Sequence, residues 1–339
     1  LSSHQAALES TEDNISAIEG TIRNGATSGD WEKACRGAMR SITLRDRIHS
    51  ELIEWLTSAA EASSGWSELA SAMETALSNG TVQAKLAQKL ELTISTWWQE
   101  KAGDMDAAER AALRALALGP NSIEALQQLA ALQRANPGPA LLETLLKIDR
   151  IQEHSLDALH EAAQLALESE DDVARAQSIL ELLYRKAGGM WIRNEAGSRD
   201  KQPADLAVWA LDKTVAYQVF AGNAERAVNI LLDGGKLPLE PEKACNMRQR
   251  AAEMLAETGE LSRAINVYRS VLEARPGEIE TIQRVAQLCE QDARISEALA
   301  LRLKELELVD DPKRRLELRL EHSRLTAELE KQGGRVTSL

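Results

Sequence analysis

The chain has 339 residues, with 40 Lys and Arg against 53 Asp and Glu, and therefore carries a net charge of −13 at pH 7. This acidic balance argues against a nucleic-acid surface, which needs clustered Lys and Arg, and no run of about 18 apolar residues suggests insertion into a membrane. Three cysteines are too few for a disulfide scaffold, so we expect a protein of a reducing, cytoplasmic compartment.

The composition favours helices throughout the chain. Leu, Ala, Glu, Arg and Gln dominate, and β-branched residues rarely alternate with polar ones. Helices of about 12 to 16 residues are predicted between short breaks that contain Gly, Asp, Asn or Pro. No periodic stretch clearly runs past four turns, which argues against a long coiled coil. We therefore predict an all-α chain, roughly 70% or more helical and without a sheet.

Eight breaks with a common pattern follow one another along the chain. In most of them a small residue stands in the turn and a second small residue follows five positions later. The pairs, in chain order, are Gly29/Ala34, Gly65/Ala70, Gly103/Ala108, Pro137/Leu142, Asp171/Ala176, Gly222/Ala227, Gly259/Ala264 and Ala293/Ala298. Apart from one step of 51 residues, the spacing is 34 to 38 residues. A period of this length indicates a helical repeat.

Two of these units match each other directly when the chain is shifted by 156 residues. The matched pairs are Gly103 with Gly259, Ala108 with Ala264, and Pro120 with Pro276. Glycine lets the backbone reverse between two antiparallel helices, and the small residue lets those helices approach closely. One such hairpin cannot bury both of its apolar faces, so neighbouring hairpins must stack.

These residues resemble a tetratricopeptide repeat. The best unit reads Ala252, Leu255, Gly259, Ala264, Tyr268, Val271 and Pro276. The unit around Trp98 and Gly103 matches with one extra residue before the glycine. The resemblance implies a right-handed superhelical α-solenoid of about eight hairpins, and the chain looks like a fragment of a longer bacterial repeat array. HEAT or armadillo repeats, which have longer periods, remain the alternative.

The 51-residue step divides the chain into two sets of repeats. We predict N-terminal repeats over 1–186, an irregular insertion over 187–204 and C-terminal repeats over 205–339. Loops of this length in a compact stack are often functional. Met190, Trp191 and Ile192 in the insertion are expected to fold back and fill the gap between repeats, to anchor a partner, or to be disordered.

Catalytic and metal-binding patterns are missing from the sequence. It contains no HExxH, CxxC, GxxxxGK[ST], GxGxxG or GxSxG motif. His154 and His160 are six positions apart, which puts them on nearly opposite faces of a helix. Cys35, Cys245 and Cys289 are expected to fill small gaps in the core. We therefore expect a non-enzyme without a cofactor or a metal.

The resemblance also implies a binding surface, because the first helix of each hairpin lines the concave face in this family. The repeat phase places there Trp209, Asp212, Gln249, Glu253, Glu257, Glu280, Gln283, Gln287 and Glu290. Trp191 in the insertion is added as a second candidate contact. This lining is polar and mostly acidic, and it lacks the Lys and Asn with which chaperone-binding members clamp a terminal carboxylate. It favours a basic or amphipathic segment of a protein partner.

The sequence thus predicts a non-catalytic protein–protein interaction scaffold that binds a partner segment along an acidic groove. A regulatory or sensor domain that binds a small ligand between repeats is one alternative, and it would need a closed apolar pocket. A structural spacer in a larger multidomain protein is another.

Overall fold

The fold is entirely helical, as predicted. In the computed structural model, the described backbone covers residues 2–80, 82–168, 173–193 and 202–336, and the described side chains cover 15–80, 82–168, 173–193 and 202–330. This part of the chain is 84% helical, with 17 α-helices and no strand. The chain divides into two compact units, Leu1–Leu165 (unit 1) and Ala166–Leu339 (unit 2).

Unit 1 is a succession of helix pairs, and one hydrophobic core cluster in it extends from Ile18 to Leu132. Its helices are α1 (Ser2–Ser28), α2 (Trp31–Arg45), α3 (Ser50–Ser63), α4 (Trp66–Asn79), α5 (Ala84–Thr96), α6 (Met105–Leu118), α7 (Ile123–Gln133), α8 (Pro139–Ile151) and the start of α9 (Asp157–Glu168). A π-helical turn, Trp97–Ala102, joins α5 to the loop before α6. Helix α1 packs on α2, and from α3 to α8 each helix packs on the next. Because α1 also packs on α3 and α2 on α4, the first three hairpins share a core.

Unit 2 repeats the arrangement with three further hairpins and a last long helix. Its helices after α9 are α10 (Val173–Arg193), α11 (Gln202–Phe220), α12 (Ala224–Gly234), α13 (Pro241–Glu257), α14 (Leu261–Ala274), α15 (Ile279–Gln291), α16 (Ile295–Leu308) and α17 (Pro312–Val336). Consecutive helices pack in order from α10 to α17. No helix in the described residues is long and apolar enough to cross a membrane.

The predicted turns fall where the helices reverse. Gly29, Gly103, Gly222 and Gly259 have φ angles between 73° and 83°, and Ala293 has a φ of 56°. This left-handed region favours glycine because it has no Cβ. The break at Pro137 separates α7 from α8. Asp171 lies outside the described residues.

At Gly65 the turn is shifted by one residue, because Ser64 takes the left-handed conformation with a φ of 55°. Gly65 itself has a φ of −92° and caps α4.

The same backbone hydrogen bond closes most of these turns. The residue that follows the left-handed one donates its N–H to the carbonyl five residues earlier, as in the Schellman motif. The bonds are Asp30 to Gly25 (2.9 Å), Gly65 to Ala60 (3.1 Å), Asn223 to Gln218 (2.8 Å), Glu260 to Leu255 (2.9 Å) and Arg294 to Cys289 (2.8 Å). A local backbone geometry therefore recurs with the sequence period.

The small residues five positions after the turns are buried. Ala34, Ala70, Ala108, Ala227, Ala264 and Ala298 have no exposed surface. Each lies near the start of the second helix of its hairpin, where a larger side chain would hold the two helices apart. The burial predicted for Ala108 and Ala264 is confirmed.

Helix length departs from the prediction of about 16 residues or fewer. Four helices are clearly longer, since α1 has 27 residues, α10 has 21, α11 has 19 and α17 has 25. Glycines inside helices, such as Gly20 and Gly188, did not end them, because one glycine costs only about 1 kcal/mol and neighbouring good helix formers offset it.

The segment expected to be an irregular insertion is largely helical where it is described. Residues 187–193 form the last turns of α10, and 202–204 begin α11, while 194–201 lie outside the described residues. Ala187 and Gly188 are buried, and a Cβ on Gly188 would lie 3.4 Å from a methyl group of Leu237. Helix α10 therefore continues through Gly188, close to the segment after α12.

All three cysteines are free and buried, as expected for small core residues. Burial raises the pKa of the Cys35 thiol from 9.0 to about 12. Burial, with a contribution from Glu297, raises the pKa of Cys289 to about 11. Both thiols therefore stay protonated at pH values where the unfolded chain's thiols ionise.

We predict that Ala264→Leu lowers the free energy of unfolding by about 1–3 kcal/mol, because it overpacks the α13–α14 crossing. Ala274→Leu on the same helix is the matched control, since Ala274 is exposed, and we expect it to change stability by about 0.5 kcal/mol or less. Thermal or denaturant melts decide the matter. Equal midpoints for the wild type and Ala264→Leu would contradict the small-residue role.

We also predict that stability falls with alkaline pH through the buried thiols. Their folded pKa values lie above the unfolded ones, so the stabilisation present below about pH 9 is lost as the pH rises, by about 1.4 kcal/mol per pH unit for each thiol. In Cys35→Ala the slope between about pH 9 and pH 11 should decrease by that amount. Parallel curves of unfolding free energy against pH would contradict this.

Candidate partner-binding surface

The residues predicted for partner binding lie on three first helices of unit 2, α11, α13 and α15, with the exception of Trp191. Each is followed by its hairpin partner, α12, α14 or α16. Glu253, Glu257, Glu280 and Gln287 are exposed. The remaining ones are half-buried, namely Trp209, Asp212, Gln249, Gln283 and Glu290.

Asp212 links two of these first helices. Its carboxylate lies 2.8 Å from the guanidinium of Arg250, which joins α11 to α13. Both side chains are about half exposed, so the pair contributes roughly 0–1 kcal/mol. The pair matters more for the charge of the surface than for stability, because Arg250 neutralises a carboxylate that was predicted to make the groove acidic.

Glu290 is neutralised by two arginines. Arg302 of α16 lies 3.0 Å from one carboxylate oxygen and Arg324 of α17 lies 2.6 Å from the other. The C-terminal end of α15 is thereby tied to both of the helices that follow it. This carboxylate binds the chain's own arginines rather than standing free for a partner.

The neighbouring Gln283 points into a buried polar network. Its amide donates to Glu305 at 2.6 Å. Glu305 has no exposed surface. It also accepts hydrogen bonds from Arg302 at 2.9 Å and from Arg314 of α17 at 2.9 Å. A buried carboxylate is tolerable only when it is paired in this way, so the network determines how α17 packs on α16.

Three carboxylates of the predicted surface have no such partner. Among the described residues, Glu253, Glu257 and Glu280 make no ion pair and no side-chain hydrogen bond. Glu253 and Glu257 are one helical turn apart on α13, and Glu280 begins α15. They are the members of the predicted set whose charge no arginine of the described residues neutralises.

The hydroxyl of Tyr268 on α14 responds to charges on both α13 and α15. Burial and the nearby carboxylates of Glu253 and Glu257 raise its pKa to about 12, and Arg284 of α15 opposes the increase. Charges on both helices therefore act electrostatically on one buried hydroxyl. Arg284 was not among the residues predicted from the sequence, although its i+4 spacing from Glu280 was visible.

The two tryptophans of the prediction are placed differently from each other. Trp209 is half-buried on α11, a first helix, next to the buried Ala210 and Leu211. Trp191 is half-buried near the end of α10 and so belongs to a second helix. Trp191 therefore does not share the repeat position of the other predicted residues, which lie on first helices.

No group of three or more His, Cys, Asp or Glu side chains within the described residues could hold a metal ion. The buried Cys35 and Cys289 have raised pKa values, which is the opposite of what a nucleophilic thiolate needs.

These features define a helical-repeat protein. Seven helix pairs with described turns reverse at matching positions, six of them with a fully buried alanine five residues after the turn. The fold is tetratricopeptide-like, and the unit around Gly259 carries the repeat most completely.

No protein-family model matches the chain, and no curated protein matches its sequence. Several solved structures are similar. Naa15/Naa10 bound to HypK-THB has 15% identity, covers 88% of this chain and 44% of that chain, and has a TM-score of 0.38. The TPR domain of P58(IPK) has 13% identity over 94% of this chain and 81% of that chain, with a TM-score of 0.26.

A third similar structure is TTC0263, a thermophilic TPR protein of Thermus thermophilus. It has 19% identity over 71% of this chain and 99% of that chain, with a TM-score of 0.23. The chain spans less than half the length of the chain that it matches in the Naa15/Naa10 structure. At these identities and TM-scores, the fold assignment rests on the helix pairs themselves.

We predict that Arg302→Met destabilises unit 2 by about 2–4 kcal/mol, because it leaves buried carboxylate oxygens without a partner. Arg319→Met is the matched control, since Arg319 is exposed on α17 and has no ion pair with a described side chain. It should change stability by about 0.5 kcal/mol or less. Denaturant melts of both variants measure the difference, and similar melts would show that the network adds no net stability.

Proposed function

We propose that the chain is a non-catalytic protein-interaction scaffold. In this proposal, unit 2 binds a basic or amphipathic segment of a partner protein along α11, α13 and α15. The observation that supports it is the set of three exposed carboxylates, Glu253, Glu257 and Glu280, without a cationic partner in the described residues. Neighbouring acidic groups are already neutralised by arginines.

The physical basis is charge complementarity. Exposed like charges on one surface raise the local negative potential, which accelerates the encounter with a cationic segment and disfavours acidic ones. Arg284 reduces this potential near Tyr268 but leaves an excess of negative charge. The exposed amide of Gln287 adds both a donor and an acceptor, which suits the backbone of an extended or frayed helical segment.

The proposal is tested with a synthetic, amidated peptide of about 12 residues that carries four arginines at helical spacing among leucines. The control peptide has Gln in place of each Arg. Glu253→Gln, Glu257→Gln and Glu280→Gln together should weaken binding of the arginine peptide about tenfold, since each exposed pair contributes roughly 0.5 kcal/mol. Titration calorimetry at about 0.05 M and about 0.2 M salt should show affinity falling with salt.

A triple variant on the second helices provides the matched control. Glu225, Glu273 and Glu307 on α12, α14 and α16 are equally exposed and also lack an ion pair with a described side chain. Their replacement by Gln changes the net charge by the same amount and should leave affinity unchanged. If both triple variants lose the same affinity for the arginine peptide, the effect comes from net charge alone. If the arginine peptide does not bind to the wild type, the spacer function is favoured instead.

A further inference from the structure

One hairpin of unit 1 departs from the repeat geometry. At Gly103, the N–H of Asp104 donates to the carbonyl of Trp98, six residues earlier, at 3.0 Å. The corresponding bonds of other hairpins span five residues. The extra residue before Gly103 is accommodated in the π-helical turn Trp97–Ala102. Such turns are rare and occur often at functional sites.

The π-helical turn holds two consecutive indoles in different environments. Trp98 is buried and donates from its ring nitrogen to Glu74 at 2.9 Å. Trp97 is also buried and meets Trp66 of α4, with ring centroids 6.3 Å apart and planes inclined at 57°. Trp98 therefore anchors the turn, and Trp97 supports one side of Trp66.

Trp66 differs from its counterpart in the preceding hairpin. Trp31 and Trp66 are both the first residues of second helices, and the sequence pattern predicts a packing role for both. Trp31 is buried, with its ring against Gly65. Trp66 is half-buried and lines a cleft of about 740 Å³ that opens to solvent between α3, α4 and the π-helical turn.

The cleft already contains a cationic group. The ammonium of Lys101 lies 5.3 Å from the centroid of the Trp66 ring and 3.7 Å from a carboxylate oxygen of Glu61. The ring nitrogen of Trp66 donates to the same oxygen at 3.1 Å. The indole is thus oriented by Glu61, and a positive charge lies within range of its face.

The contacts of Lys101 are loose. Its side chain is 44% exposed and that of Glu61 is 66% exposed. A pair this exposed contributes roughly 0–1 kcal/mol. Glu100, which also lines the cleft, is exposed and makes no ion pair with a described side chain. Two carboxylates therefore line a cleft that holds one ammonium, and an incoming cation can replace that ammonium at small cost.

We propose that this cleft binds the side chain of an arginine from a peptide, which displaces Lys101 from Trp66. A guanidinium suits the site better than an ammonium, because its planar group stacks on an indole while its N–H groups pair with a carboxylate. This site belongs to unit 1 and uses none of the carboxylates assigned to the scaffold surface of unit 2. It is thus an additional binding site.

The probe is an acetylated, amidated Gly-Arg-Gly peptide, and its control has neutral citrulline in place of arginine. The indole N–H signals of the ¹⁵N-labelled protein are followed by NMR and assigned with Trp66→Phe and Trp97→Phe. Up to about 10 mM peptide, a range that detects weak sites, the arginine peptide should shift the signals of Trp66 and Trp97. The citrulline peptide should leave them in place.

Variants of exposed side chains then test the roles without threatening the fold. Lys101→Met should strengthen binding about threefold, because it removes the competing ammonium. Glu61→Gln should weaken it about fivefold, because it removes the pairing charge. Lys89→Met on α5 is the control, since Lys89 is exposed, and it should have no effect. Unmoved indole signals, or weaker binding in Lys101→Met, would overturn the proposal.

The same titration separates this proposal from the proposed function. The triple variant at Glu253, Glu257 and Glu280 should leave the shifts of Trp66 unchanged. If that variant abolishes them, the cation binds in unit 2 and the cleft is not the site. If the cleft variants have no effect while the triple variant weakens binding of the longer arginine peptide, only the inference about unit 1 fails.

Discussion

The backbone reversal between the two helices of each hairpin is the constraint on which the rest of this fold depends. A residue in the left-handed conformation ends the first helix, and in most hairpins the next N–H bonds to the carbonyl five residues earlier. This geometry fixes where the second helix begins. The residue five positions after the turn must then be small, as Ala108 and Ala264 are. Glycine supplies the turn at most positions, but Ser64 and Ala293 show that packing can hold other residues in the same strained region.

The surface charge of unit 2 depends on the ion pairs that link its helices. Arg250, Arg302 and Arg324 pair with acidic groups on neighbouring helices, and these pairs use up charges that would otherwise belong to the surface. Each pair cancels one positive and one negative charge, so the net charge of −13 is unchanged, but the pairs determine which carboxylates a partner meets. On the first helices of unit 2, the unpaired carboxylates include Glu253 and Glu257 on α13 and Glu280 at the start of α15.

Much of the fold could be predicted because its determinants are local. Gly29, Gly103, Gly222 and Gly259 marked reversals, and the spacing to a small residue marked the crossings. Helix length could not be predicted, because nothing local distinguishes Gly188, which lies buried inside α10, from a glycine that ends a helix. The candidate site was harder to predict from the sequence than the fold. The phase of the repeat placed most of its residues on first helices, but which carboxylates stay free depends on arginines up to 38 positions away. The extra residue before Gly103 could be recognised in the sequence, whereas the cleft that it helps to form could not.

The aromatic residues are divided between the two units by type. Five of the seven tryptophans, Trp31, Trp55, Trp66, Trp97 and Trp98, lie in unit 1, and unit 1 has no tyrosine or phenylalanine. All three tyrosines lie in unit 2. Emission from tryptophan therefore reports mainly on the first unit, while tyrosine absorbance reports only on the second. The molecule carries a separate spectroscopic reporter in each half, so non-coincident melting curves from the two chromophores would reveal whether the units unfold as one cooperative body.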